Sequence, residues 1–538
     1  MFKGCTGLTR LPELPATNLV EWCYNAMFEN CTGITLYENG TGQTWGIPNG
    51  ADASDAWNWN EKMLTGTGGT FTGNPEIGTD YYYTPSATSV GVTINGIELD
   101  EAGSSGEGWS YVLPTLTLTN AGPFTISGTN TAGQVCVVVA AGVTSEVTLS
   151  NLTLAATGNQ QCPFALESGA NVSLFLAGTN TLTSGNNRAG LEVSAGRTLS
   201  ITNAPGDDAG ALTATGGEYG AGIGGGNNGA CGTVTINGGI VTANGSEFFG
   251  AGIGGGGGGG GGTVTINGGT VTANGGEMGA GIGSGGYAGN DGGTVNISGG
   301  AVTATGGNWS AGIGGGDGDA GGTVNISGGT VTATGGQYGA GIGGGNNDGN
   351  PDGIAGTGGT VNISGGHVIA TGGKCAAGIG GGTGQQLAGS AGAALSVSGG
   401  TLFAIGGAGG APGVGGGLGN VEEGDTGNAP DISGSNHFTG GSIRIDGDFA
   451  MAAPSNGTAR VWCVTVPKLT PNASVVITSL GTYGVNDLFA DNNGKLYLWL
   501  PNDNYDFTAG GTEYEATVSD ADTTATAKAP PVSDAYLT

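Results

Sequence analysis

The chain has 538 residues, 123 of them glycine, and sets 11 Lys and Arg against 41 Asp and Glu for a formal net charge of −30. That balance opposes binding to nucleic acid or to anionic membrane surfaces, and no apolar run reaches the roughly 18 residues of a membrane-spanning helix. So long a chain exceeds one compact core, and glycine at this level means disorder only where it lacks a period.

Residues 1–83 carry the first period. MFKGCTGLT from Met1 returns as MFENCTGIT from Met27, with Leu, Cys and Asn spaced as in a leucine-rich turn. These residues resemble the BspA-like leucine-rich surface proteins of bacteria, and the stretch through GTGGTFTGNPEIGTDYYY looks like the end of such an array. About two repeats are fewer than a solenoid needs. Met1 also falls inside one of them. Upstream repeats, and with them a secretion signal, are therefore expected to be missing.

Residues 84–457 read as one β-helix. After a polar link and a strand-rich entry, TLTLTNAGPFTISGTN, EVTLSNLTLAATG, NVSLFLAGTNTLTSGNNRAGLEV and TLSITNAPGDDAGALTATGG form loosely repeated, apolar coils that predict a wider core at this end. The glycine-rich coils follow, such as GTVTINGGTVTANGGEMGAGIG from Gly262. Their AGIG element starts at Ala221, Ala251, Ala280, Ala311, Ala340 and Ala377, so the spacings are 30, 29, 31, 29 and 37 residues. Within TVTIN and VTAT, apolar residues alternate with Thr or Asn, the period of a strand. Such a coil buries its apolar side only by stacking on its neighbours. The expected fold is an all-β solenoid: a parallel β-helix of about eleven coils, right-handed by the usual crossover preference. It is preceded by the end of the leucine-rich array and followed by a small β-sandwich.

Alternation points Val234, Val264, Val295, Val324 and Val361 inward, with Ile236, Ile266, Ile297, Ile326 and Ile363. Thr233, Thr263, Thr294, Thr323 and Thr360 point out. Tyr219, Phe249, Met278, Trp309, Tyr338 and Cys375 share the parity of the inward alanines and predict an internal corner stack. Reversed parity in the turn would instead expose the rings. Asn237, Asn267, Ser298, Ser327, Ser364 and Ser398 are expected to satisfy turn backbone groups as a ladder. The order GWSY, GTNTLTSG, AGLEV, AGIGGG resembles bacterial surface proteins carrying a carbohydrate-binding domain of the β-helix type, over roughly 92–417. That resemblance implies an extracellular or cell-surface location and a polysaccharide or surface glycan as partner.

After Gly417 the period fails, and GSIRIDGDF offers one last coil. Residues 458–519 form short alternating strands and resemble small prealbumin-like sandwich modules. Residues 520–538, rich in Thr, Ala and Pro, read as a linker. The eight cysteines form no CxxC pair and fit neither a zinc site nor a disulfide framework. They read as small buried hydrophobes.

These residues bear on several chemistries. A polysaccharide lyase needs cations around a base, but Arg188, Arg197, Lys374, Arg444 and His367 do not share a repeat position. A glycosidase needs two carboxylates about 5–9.5 Å apart, and adjacent Asp207 and Asp208 read as a solvated turn. Calcium is the one candidate cofactor, with oxygen ligands from Asp291, Asp317, Asp319, Asp348 and Asp352 at the coil edges. The threonine rows could bind ice, although Asn296, Asn325 and Asn362 interrupt them. An exposed polar strip is the main candidate: Glu218, Phe248, Glu277, Asn308, Gln337 and Lys374, about 4.8 Å apart on successive coils, along which a polysaccharide could lie. The sequence reading is a monomeric, noncatalytic, adhesin-like glycan binder, with a structural spacer as the first alternative and a polysaccharide lyase or glycoside hydrolase as the second.

Overall fold

A computed structural model of the chain describes residues 2–13, 18–38, 40–54, 58–69, 71–85, 89–287, 290–346, 356–384, 390–418, 436–438, 442–446, 449–450, 454–456, 458–480 and 488–528. Every regular element among them is a β-strand, and no helix is long and apolar enough to cross a membrane. Contacts divide the chain into two units, Met1–Val90 with Glu98–Ser104, and Gly91–Ile97 with Ser105–Thr538.

The first unit is a stack of turns. Phe2 and Gly4 donate their backbone N–H to Met27 and Glu29, and Tyr24, Ala26, Phe28 and Asn30 donate theirs to Trp59, Glu61, Met63 and Thr65. The two copies read from sequence thus become three rungs. The third, around Trp59–Thr65, lacks the Phe and Cys of MFENC, although its Met63 and Leu64 are fully buried beside Phe28, Cys31 and Ile34.

The second unit begins as a parallel β-helix. A representative coil contributes strands Thr233–Ile236, Ile240–Asn244 and Ile253–Gly254, each paired in parallel with its counterpart one coil on. The ladder Val234, Val264, Val295, Val324, Val361 is in register and buried, as is the isoleucine ladder beside it. Each such side chain contributes about 1.5–3 kcal/mol on burial. The core does narrow along the axis: Leu154, Leu182, Ala214 and Ala243 occupy one position in turn. At the entry, Val92, Thr93 and Ile94 pair antiparallel with Gly128, Ser127 and Ile126, which covers the first open edge of the sheet.

The third, two-residue strand explains the repeated AGIG. Its glycine recurs as Gly224, Gly254, Gly283, Gly314, Gly343, Gly380 and Gly415, with φ between 130° and 147°. A Cβ on Gly283 would lie 1.9 Å from the carbonyl oxygen of Gly314. Only a residue without a side chain permits that approach. One coil before this column begins, its place is held by Glu192, a buried carboxylate ion-paired with Arg188.

The C-terminal module has its own core of Val464, Val466, Leu488, Leu496, Leu498, Leu500, Phe507 and Tyr514. It belongs to the same unit as the β-helix and docks on its side. The outward column Ala301, Thr330, His367, Thr401, Ser442 runs in register; Thr401 and Ser442 are fully buried because the module covers them. The Thr401 hydroxyl accepts the Phe489 N–H at 2.7 Å, the Ser442 hydroxyl accepts that of Tyr497 at 3.1 Å, and the Trp499 indole donates to Ile443 O at 2.9 Å. Arg444 meets Asp491 at 3.1 Å. The module also extends past the expected boundary at 519. Thr523–Thr524 and Thr526–Ala527 pair with Trp462–Val466 and Thr512–Val518, because the alternation of TTATA buries Ala525 as any strand would.

Candidate functional site

The corner that precedes each AGIG is where the sequence-read strip and ring ladder meet. Backbone bonds lock each ladder residue to the loop of the following coil: Gly257, Gly286, Asp317, Asn346 and Thr383 donate their N–H to the carbonyls of Tyr219, Phe249, Met278, Trp309 and Tyr338. The ladder is not the internal stack that parity predicted. Cys375 is buried, but Tyr219, Phe249, Met278, Trp309 and Tyr338 are half-buried. The chain turns at Glu218–Tyr219 and at the equivalent residues of later coils, and alternation holds only within a strand.

The rings stack along the helix axis. Tyr219 and Phe249 lie 5.2 Å apart at 7°, and Trp309 and Tyr338 lie 4.5 Å apart at 17°. They turn their faces to one another and their edges outward. Beside them, Glu218, Phe248, Asn308, Gln337 and Lys374 are exposed and Glu277 is half-buried, so the structure brings all six strip residues to one corner. Asn308 donates to Glu277 at 3.5 Å, and the Gln337 amide donates to the Tyr338 hydroxyl at 3.0 Å. Sequence reasoning missed one member. Tyr287 meets Phe249 edge to face at 5.7 Å and 87°. A lone tyrosine in a glycine loop was the available signal.

The calcium residues do not converge. Asp348 and Asp352 lie outside the described residues. Asp291 accepts the Gly293 N–H at 2.9 Å, Asp319 that of Asn290 at 2.7 Å, and Asp317 the Asn346 amide at 3.4 Å. Each carboxylate thus takes a donor of the loops. Among the described residues, no three of His, Cys, Asp or Glu lie close enough to hold a metal ion.

The candidate catalytic residues are likewise dispersed. Arg188 is held by Glu192, and Arg444 by Asp446 and Asp491. Asp207 caps two turns, accepting the N–H groups of Gly178 and Ala209, which hold its carboxyl below the usual range. His367 lies between Phe403 and Phe489, and burial pushes its pKa down. All eight cysteines are free. Burial raises the Cys231 and Cys463 thiols to about 12, so neither is a nucleophile at neutral pH. Cys5, however, is exposed and Cys23 and Cys463 are half-exposed, so the buried-hydrophobe reading holds for the other five only.

The outward side chains bond along the axis. Asn237, Asn267 and Ser298 form a chain at 2.9 and 2.8 Å, and Asn296, Asn325 and Asn362 another at 2.9 Å each. The first ladder is expected from sequence to satisfy turn backbone; its first three members bond one another instead, since the stacking distance matches the reach of an amide.

A family model described as a beta helix repeat matches residues 234–257, 264–286, 295–317, 324–346 and 361–383. These are five successive coils of the glycine-rich region. No curated protein and no solved structure matches the chain.

Proposed function

We propose that this chain is a noncatalytic, adhesin-like protein of the bacterial surface or extracellular space that holds a polysaccharide along the ring-and-strip corner of its β-helix. In this reading residues 1–83 are the end of a leucine-rich array, the solenoid has about eleven coils, and the C-terminal module is a prealbumin-like sandwich. The observation that carries the proposal is the corner itself. Asn308 and Gln337 stand exposed on successive coils beside the half-buried rings of Trp309 and Tyr338, and Lys374 stands exposed on the next coil, on a backbone cross-linked at every rung. A ligand that repeats along its length finds matching groups at a fixed interval of about 4.8 Å, and the rigid scaffold loses little entropy on binding.

A glycan array probed with the full chain tests this, with calcium and with chelator, since Asp317 and Asp319 line the adjoining loops. Binding to one glycan class, weakened by Asn308→Ala and Gln337→Ala, is the expected result. Calcium dependence would assign a cation to those loops. Silence in both buffers would sink the proposal in favour of a spacer, a reading favoured by rings and amides that bond along the axis more than outward.

A further inference from the structure

We propose that Tyr287 is the stacking platform for a neutral pyranose ring, an inference that rests on the glycan-binding reading above and gives it one defined subsite. Tyr287 occupies a column of its own. Asn228, Gly258, Tyr287 and Gly318 donate backbone N–H groups to Gly257, Gly286, Asp317 and Asn346 respectively, so all four hold the same place on successive coils. All four are left-handed, with φ of 56°, 77°, 96° and 80°. Glycine and asparagine adopt that conformation readily, and a tyrosine adopts it under strain. Strain of this kind persists where the surrounding structure enforces it, and it points to use.

The neighbours make the ring accessible. Gly258 and Gly318 contribute no side chain on either side, and a Cβ built on Gly318 would meet nothing within 4 Å. Tyr287 is accordingly 76% exposed, the most exposed large apolar side chain among the described residues. One ring contact orients it. Phe249, which the ring meets at 87°, is itself stacked on Tyr219 at 7°. The plane of Tyr287 therefore stands across the ladder planes, and its face opens sideways where the ladder rings offer only edges. Phe248, 39% exposed, adjoins Phe249 at 6.2 Å and widens the apolar floor.

The chemistry of the patch selects the ligand. An aromatic face carries the negative side of its quadrupole, which suits the weakly positive axial C–H bonds on one side of a pyranose. Glu247 and Glu277 lie on adjacent coils beside Phe248, the Glu277 N–H bonding to Glu247 O at 3.0 Å. Their carboxylates can accept sugar hydroxyls. They also repel uronates and sulfated sugars, as does the net charge of −30. A neutral polysaccharide is what remains.

Affinity electrophoresis of the full chain through gels containing a β-glucan, a mannan or a xylan tests the proposal, with polygalacturonate as the anionic control. Wild-type retardation by at least one neutral polymer is expected, with at least tenfold weaker retardation for Tyr287→Ala. Tyr287→Trp should keep the retardation and shift its emission on binding. Because the ring is exposed, both variants should fold, which circular dichroism checks. If Tyr287→Ala binds as the wild type does while Asn308→Ala and Gln337→Ala lose binding, the platform is wrong and the glycan-binding reading stands. Binding to polygalacturonate alone would overturn the assignment to neutral sugars. No retardation by any polymer would remove both.

Discussion

Replacing Gly283 by alanine tests the glycine column directly. The new methyl would sit 1.9 Å from Gly314 O, against an ordinary contact of 3.4–4 Å. That oxygen also accepts the Ser284 N–H at 3.1 Å, so moving it aside breaks a buried hydrogen bond between coils. Leaving both partners unsatisfied costs about 1–3 kcal/mol each. A φ of 145° adds roughly 1–3 kcal/mol for a residue with a Cβ. The sum is about 3–9 kcal/mol, concentrated at one rung. Gly318→Ala is the matched control: its φ is also positive, at 80°, but its Cβ meets nothing, so about 1–2 kcal/mol is expected. Urea denaturation gives the overall loss, and hydrogen exchange at the Ile282 and Ile313 amides locates it. If Gly283→Ala matched Gly318→Ala in both measurements, steric exclusion between coils would not be what requires glycine.

Two further expectations follow from buried polar groups. Asn180 is fully buried and accepts the Leu152 N–H at 3.0 Å while donating to Ala177 O and Ala211 O at 3.2 and 3.0 Å; Asn180→Ala should lower stability by about 2–5 kcal/mol, and a change within error in the urea midpoint would show that water replaces the amide. His367 is pressed between Phe403 and Phe489 with its Nδ1 buried and lacking a hydrogen-bond partner. Burial lowers its pKa, so folding favours the neutral ring. Its contribution is complete above the ordinary histidine value of about 6.5 and is lost as pH falls below it. Melting temperature should therefore drop between pH 7.5 and 5.5, and His367→Gln should flatten that drop; an equal drop in the variant would place the pH response elsewhere.

What the sequence made legible was whatever lies inside a strand. The valine and isoleucine ladders, their register and the outward threonines follow from a two-residue period repeated at a fixed interval. Turns broke the count. Tyr219 and its successors share parity with Ala221 only if no turn intervenes, and one does, so rings assigned to the core stand half outside it. The third rung of the first unit was hidden because Leu64 and Thr67 stand where Phe28 and Cys31 marked its predecessor, although burial at the Phe position asks only for apolar volume. Tyr287 escaped because the sign of φ is written in no side chain. The docking of the C-terminal module was invisible for a related reason: Thr401 and Ser442 look like the other outward hydroxyls, and only the partner distinguishes them.

The glycine column has a consequence for how such a chain changes length. Among the described residues from 221 to 417, the strands of each coil meet those of the next in parallel and through the same Cβ-free contact, so these two surfaces of a coil are nearly interchangeable. Removing or duplicating one whole coil would rejoin surfaces that already fit. Each such step would shift whatever is mounted downstream by about 4.8 Å and leave the local packing as it was. The distance from the Tyr287 loop to the docked C-terminal module is in this sense a graduated quantity, adjustable in whole units without redesign of either end.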